Sequence, residues 1–94
     1  MKTTVFNSDN REALVFLNPM GTDARFWKND FPDEILDKYE TIFVDYPGYN
    51  SDFHKYNSFS EVASDLYDTV LSTIHKPVHL IGYSYGGFLA QYIV

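Results

Sequence analysis

Short unbroken apolar runs alternate along this chain with stretches whose apolar residues recur every three or four positions. "TTVF" near the N-terminus reads as a strand and "SDN" as the turn after it. "EALVFLN" (Glu12 to Asn18) reads as a second strand, and its continuous apolar run predicts burial on both faces. "TIFVD" (Thr41 to Asp45) and "PVHLIGY" are two further β-rich runs, the first stopped by the Pro and Gly of "YPGYN". Between the second and third strands, Thr22 or Asp23 is placed to cap a helix, and Pro32 suits the first turn of another helical piece carrying Ile35, Leu36 and Tyr39. The clearest helix is "SFSEVASDLYDTVLSTIH": Ser58 and Glu61 have capping-box spacing, and Phe59, Val62, Ala63, Leu66, Val70 and Ile74 share one face. "GGFLAQYIV" opens a last helix.

Strands alternating with helices predict the α/β class, with a mostly parallel sheet and flanking helices. The 94 residues allow one core, without a linker or a repeat. Composition narrows the setting: 45% hydrophobic and 18% aromatic residues exclude a disordered chain. A net charge of −6, with no basic cluster, excludes nucleic acid as a partner. No cysteine is present, so disulfides and thiolate metal sites are excluded, in keeping with a reducing compartment. "MKTTVFNSDN" leads into no apolar signal core, and no run approaches the roughly 18 residues of a membrane span, so a cytoplasmic chain without membrane contact is expected. No metal or cofactor is implied.

The stretch that carries chemistry is "GYSYGG". Gly82, Ser84 and Gly86 form GxSxG between a strand and a helix. A serine at the tip of so sharp a turn needs a strained backbone, and only very small residues two positions to either side avoid collision. Its hydroxyl would stand at a helix N-terminus, whose free N–H groups favour developing negative charge, with the Tyr85 N–H as an oxyanion donor. Gly87 is expected to allow close packing of helix on strand. The plain alternative is a glycine-rich turn holding an ordinary serine. Neither a GxGxxG fingerprint nor a phosphate loop with Lys before Ser or Thr is present.

With "GYSYGG" in place, two earlier segments complete a pattern that resembles the α/β-hydrolase family. "FLNPMGTDARFW" occupies the position of that family's HGxG-type turn, with Asn18 and Pro19 where His and Gly are common. The match implies that Met20 supplies the second oxyanion N–H. "FVDYPGYNSD" resembles the family's DxPGxGxS segment, with Asn50 in place of a glycine, and makes Asp45 a turn-stabilising side chain. The resemblance covers the whole chain and implies a single partial domain, residues 1 to 94, reaching from the first strand through the nucleophile elbow into the following helix. It places the Thr41 to Asp45 strand on one side of the Glu12 to Asn18 strand and the Val78 to Tyr83 strand on the other. The implied activity is that of a serine hydrolase acting on a small carboxylic ester, thioester or lactone.

In that family the acid and the histidine of the triad follow the nucleophile, and only "YGGFLAQYIV" follows Ser84 here. His79 lies five residues before Ser84 on one strand, roughly 16 Å away. His75 belongs to the opposite end of the sheet, and His54 reads as a surface residue in the loop after Asp45. The 94 residues are therefore expected to be inactive by themselves. The competing reading is a catalytically incomplete domain that binds a ligand or pairs with another chain, self-association through the exposed last strand being the expected form. Trp27 and Phe26 read as core or pocket packing. For Tyr83 and Tyr85 two readings stand side by side, acyl pocket or simple packing.

Overall fold

The computed structural model describes residues 1–19, 22, 24–27, 31–46 and 58–94. Among the described residues four strands form one sheet: β1 (Lys2–Phe6), β2 (Ala13–Leu17), β3 (Glu40–Asp45) and β4 (Val78–Gly82), in the order β1-β3-β2-β4. β2 runs parallel to both β3 and β4, whereas β1 is antiparallel to β3. The fold is thus a mixed α/β sheet with flanking helices, parallel through its centre as expected, with one reversed strand at the edge.

β2 explains the rest. All five of its residues are buried, as an unbroken apolar run between two layers requires. Ala13, Val15 and Leu17 face one side, where they meet Ile42, Val44, Val62, Ala63, Leu66, Val70 and Leu89. Leu14 and Phe16 face the other, against Trp27, with Phe31, Leu36, Tyr39, Phe43 and Ile81 around them. Strand alternation sends successive side chains to opposite faces, so each layer receives its own core from a single strand.

The first layer is built by α2 (Phe59–Thr69) and α3 (Tyr85–Ile93); the second by a 3₁₀ turn (Ala24–Trp27) and a one-turn helix, α1 (Asp33–Leu36). Ser58 caps α2 as its spacing predicts, its Oγ accepting the Glu61 N–H at 3.3 Å from an extended backbone. Pro32 likewise stands at the start of α1. One helical expectation is corrected. The apolar stripe through Ile74 is not one helix: α2 ends at Thr69, Val70 turns away (φ −119°, ψ −65°), and a 3₁₀ turn, Leu71–Thr73, follows. Of the two cap candidates before the 3₁₀ turn, Thr22 donates its hydroxyl backwards to the Pro19 carbonyl at 2.7 Å, and Asp23 lies outside the described residues.

Going from β2, one connection leads to β3 on its first side, and the next passes from β3 to β4 on its other side. Such a reversal opens a crevice at the carboxyl ends of the strands, where open α/β sheets hold their ligands. The opposite edge is tied down by Lys76, whose ammonium donates to the Ser8 and Asn10 carbonyls at 3.1 and 2.8 Å and lies 3.6 Å from Glu40.

Candidate active site

Leu17 pairs with Gly82 in the β2–β4 register, so the two strands end level and their following turns stand side by side. The Tyr83 N–H donates to the Leu17 carbonyl at 3.3 Å and prolongs the pairing by one step. Ser84 comes next, exposed, at φ 55° and ψ −115°. A left-handed φ costs a serine roughly 1–3 kcal/mol and persists only where surrounding structure enforces it. Here the enforcement is visible on both sides. The Gly86 N–H donates to Tyr83 O at 3.1 Å and the Phe88 N–H to Ser84 O at 3.1 Å, starting α3 immediately after the serine. The Ser84 side chain makes no capping bond to the helix that it begins.

Two glycines permit this geometry. A Cβ on Gly86 would fall 2.8 Å from Leu17 Cβ and nearer still to the Leu17 carbonyl; one on Gly82 would fall 2.7 Å from Gly87 N and nearer to the Gly86 carbonyl. α3 therefore lies directly against the ends of β2 and β4. Gly87 is different: a Cβ there would meet Gly82 O at 3.6 Å, an ordinary contact. The steric demand for glycine falls on Gly82 and Gly86 and spares Gly87.

The neighbouring turn hangs on Asn18, a fully buried residue. One step beyond the Leu17–Val44 ladder pair, its Nδ2 donates to Val44 O at 3.0 Å, so a side chain continues the sheet where the backbone leaves it. Its Oδ1 accepts from Trp27 Nε1–H, and its main-chain carbonyl accepts from Tyr46 Oη–H at 2.9 Å. Asn18 thus braces β2, β3 and the 3₁₀ turn. Of the sequence-predicted residues, Ser84, Tyr85, Gly82, Gly86 and Gly87 come together at the elbow. Met20, His54 and Asn50 lie outside the described residues.

Tyr46 was not singled out from the sequence, and no local signal marks it, since its hydrogen-bond partner Asn18 lies 28 residues away. Burial, and then the facing Tyr85, push its phenol far above its ordinary value, so it stays a hydrogen-bond donor. The Tyr85 phenol is also raised by burial. Tyr85 packs edge-on to Tyr46 and to Phe59, each at 5.5 Å, which fixes its position at the start of α3. On the other face Tyr83, largely exposed, lies 5.5 Å from Phe26, which meets Trp27 edge-on at 5.0 Å. Aromatic rings therefore flank Ser84 on both sides of the sheet.

His79 is directed elsewhere. It pairs with Leu14, three register steps from the end of the strand, and its Nε2 stands 2.8 Å from Glu12 Oε1 at the surface. Among the described residues no three His, Asp or Glu side chains come together as a metal site would require, and no helix is long and apolar enough to cross a membrane.

Comparison with known proteins fits this arrangement. A family model described as the alpha/beta hydrolase family matches residues 14–94. The biotin biosynthesis bifunctional protein BioHC of Teredinibacter turnerae (strain ATCC 39867 / T7901) is 34% identical over 86 residues, covering 86% of this chain and 14% of that protein. The chain thus spans about a seventh of this curated relative's length. No solved structure matches it.

Proposed function

We propose, since this chain belongs to the alpha/beta hydrolase family, that Ser84 is the nucleophile of a serine hydrolase acting on a small carboxylic ester, thioester or lactone. The observation that carries the reading is the backbone of Ser84 itself. A serine held at φ 55° between two sterically required glycines, with its hydroxyl unused by the helix it begins, is strain kept in place for a purpose. An ordinary serine in a glycine-rich turn has no need of it.

The chemistry then runs as acyl transfer. Ser84 Oγ attacks the substrate carbonyl carbon while its proton passes to a histidine base. The tetrahedral intermediate collapses with loss of the alcohol or thiol, which takes that proton. Water next attacks the acyl-serine and releases the acid. The negative charge on the carbonyl oxygen is met by the Tyr85 N–H, at the N-terminus of α3 where the helix leaves its first amides without intrahelical partners. The family resemblance assigns the second donor to Met20, in the turn held by Asn18. The base is assigned to no residue described here: His79 is bound to Glu12 at the far side of the sheet, and in the family the acid and histidine follow the nucleophile. The enzyme needs no metal or organic cofactor for these steps, and a cytoplasmic setting suits it.

The direct test is labelling of the full-length protein with a fluorophosphonate. Modification at Ser84 that disappears in Ser84→Ala is expected; undiminished labelling of that variant would sink the proposal.

A second reading applies to residues 1–94 taken alone. Among the described residues β4 has a strand on one side only, and beside it a cavity of about 680 Å³ is lined by Leu71, Val78, Leu80, Ala90, Gln91 and Val94. An edge with an apolar flank is a template for pairing, and a second copy of the same edge is the occupant proposed for the isolated segment.

A further inference from the structure

β4 sends its side chains alternately to the two faces of the sheet, and the alternation continues into the turn that follows it. Leu80 packs into the layer of α2 and α3, and Ile81 into the layer of Trp27 and Phe43. Gly82 returns to the first face, where an added Cβ would strike Gly86 at the start of α3. Tyr83 then leaves the sheet on the second face, where its ring meets Phe26 of the 3₁₀ turn. Tyr85, beyond the elbow, packs on the first face against Tyr46 and Phe59. The two tyrosines beside Ser84 are parted to opposite layers.

Their surroundings give them different tasks. Tyr85 is half-buried and braced edge-on by two rings, which is packing. Tyr83 ends a ladder of rings that climbs out of the core, with centroids 5.1 Å apart from Phe16 to Trp27, 5.0 Å from Trp27 to Phe26 and 5.5 Å from Phe26 to Tyr83. Phe16 and Trp27 are buried, whereas Phe26 is 36% exposed and Tyr83 59%. The outer two rings are therefore backed by the core and open in front. Consecutive α-carbons stand about 3.8 Å apart across a trans peptide, so this open aromatic surface begins one residue from Ser84. It also lies where the turns after β2 and β4 stand side by side, at the carboxyl ends of the strands. Rings already held in place offer contact area to another ring without themselves being ordered on binding.

We infer that Tyr83, supported by Phe26, is a specificity-determining residue of this site, and that the ester, thioester or lactone it takes carries an aromatic group close to the reacting carbonyl. The inference rests on the reading of Ser84 as nucleophile and names the substrate class of that same site. A tyrosine that served only to pack would act through stability and treat all substrates alike.

The experiment compares, on the full-length protein, phenylmethanesulfonyl fluoride, which carries a benzyl group on the reacting sulfur, with methanesulfonyl fluoride, which carries a methyl group. With either reagent the Ser84 oxygen displaces fluoride and gives up its proton, and the rate is read as mass added to the protein. The ratio of the benzyl rate to the methyl rate is expected to fall about fivefold in Tyr83→Ala and to be kept in Tyr83→Phe, which retains the ring. The urea midpoints of both variants should stay close to wild type, because the ring is exposed. An unchanged ratio in Tyr83→Ala overturns the inference, as does the same fall in Tyr83→Phe. Ser84→Ala separates the two levels. If it takes neither reagent while Tyr83→Ala keeps the wild-type ratio, only the role of Tyr83 falls; if it is still modified at the wild-type rate, the nucleophile reading falls and this inference with it.

Discussion

Adding one methyl group at Gly86 or at Gly87 should have opposite consequences, although the two positions are adjacent on the same helix. At Gly86 the new Cβ would stand 2.8 Å from Leu17 Cβ, so α3 must move away from β2 by about 0.7 Å to reach a normal carbon–carbon separation. The Leu17 carbonyl, closer still, demands more. Leu17 is fully buried and is held in register to both Val44 and Gly82, so it cannot yield on its own. Overpacking of this kind typically costs about 1–3 kcal/mol, and the carbonyl overlap places Gly86→Ala toward the upper end of that range. At Gly87 the methyl meets Gly82 O at 3.6 Å without strain. Exchanging a helical glycine for alanine there should stabilise by about 0.5–1 kcal/mol. Urea denaturation of the full-length protein separates the two: a midpoint lower by about 1 M for Gly86→Ala and slightly higher for Gly87→Ala. The same displacement of α3 tilts Ser84, so fluorophosphonate labelling should slow in Gly86→Ala and remain normal in Gly87→Ala. Equal midpoints for the two variants would refute the placement of α3 on Leu17.

Three further outcomes follow from the same geometry. Ser84→Gly should raise the urea midpoint by the equivalent of about 1 kcal/mol while abolishing labelling, since glycine accepts φ 55° without strain; a lower midpoint would show that the turn is not strained. The Tyr46 phenol stays protonated in the folded chain where the unfolded chain's phenol, at its ordinary 10.0, ionises, so the unfolded state binds fewer protons and stability falls as pH rises above 10. Tyr46→Phe should remove that share of the alkaline slope, up to about 1.4 kcal/mol per pH unit, and an unchanged slope would contradict the burial of the phenol. Residues 1–94 produced alone should sediment above monomer mass and hydrolyse no ester above background; a compact monomer with strong amide protection across Val78 to Ile81, or turnover lost in His54→Ala, would reverse the corresponding expectation.

How much of this was legible in the sequence depends on how far apart the causes lie. The β2 run was readable because burial on both faces leaves no polar position to hide it. Ser58 was readable because a cap is made with the amide three residues on. The stripe carrying Val70 and Ile74 misled, because a 3₁₀ turn keeps apolar residues on the core side while abandoning the α-helical repeat. Thr22 shows a second local ambiguity: a threonine hydroxyl can accept from amides ahead, donate to a carbonyl behind, or do both, and here it donates to Pro19 O. The direction of β1 was hidden as well, since an apolar run reads the same in either sense.

The candidate site divides along the same line. The elbow is marked within five residues, Gly82 to Gly86, and its glycines and serine are legible in the motif, although the collision that demands Gly86 is with Leu17 on β2. The turn opposite is settled by Asn18 through Val44, Trp27 and Tyr46, which lie 26, 9 and 28 residues away. In the sequence Asn18 is only a departure from a familiar His-Gly pair. In the fold it is a carboxamide whose donor and acceptor are both consumed in the core, a task that needs both and that an imidazole could perform only with a different set of partners. The departure therefore changes how the turn after β2 is held: its first two carbonyls are taken by Tyr46 and Thr22, residues that a motif centred on Ser84 has no means of reaching.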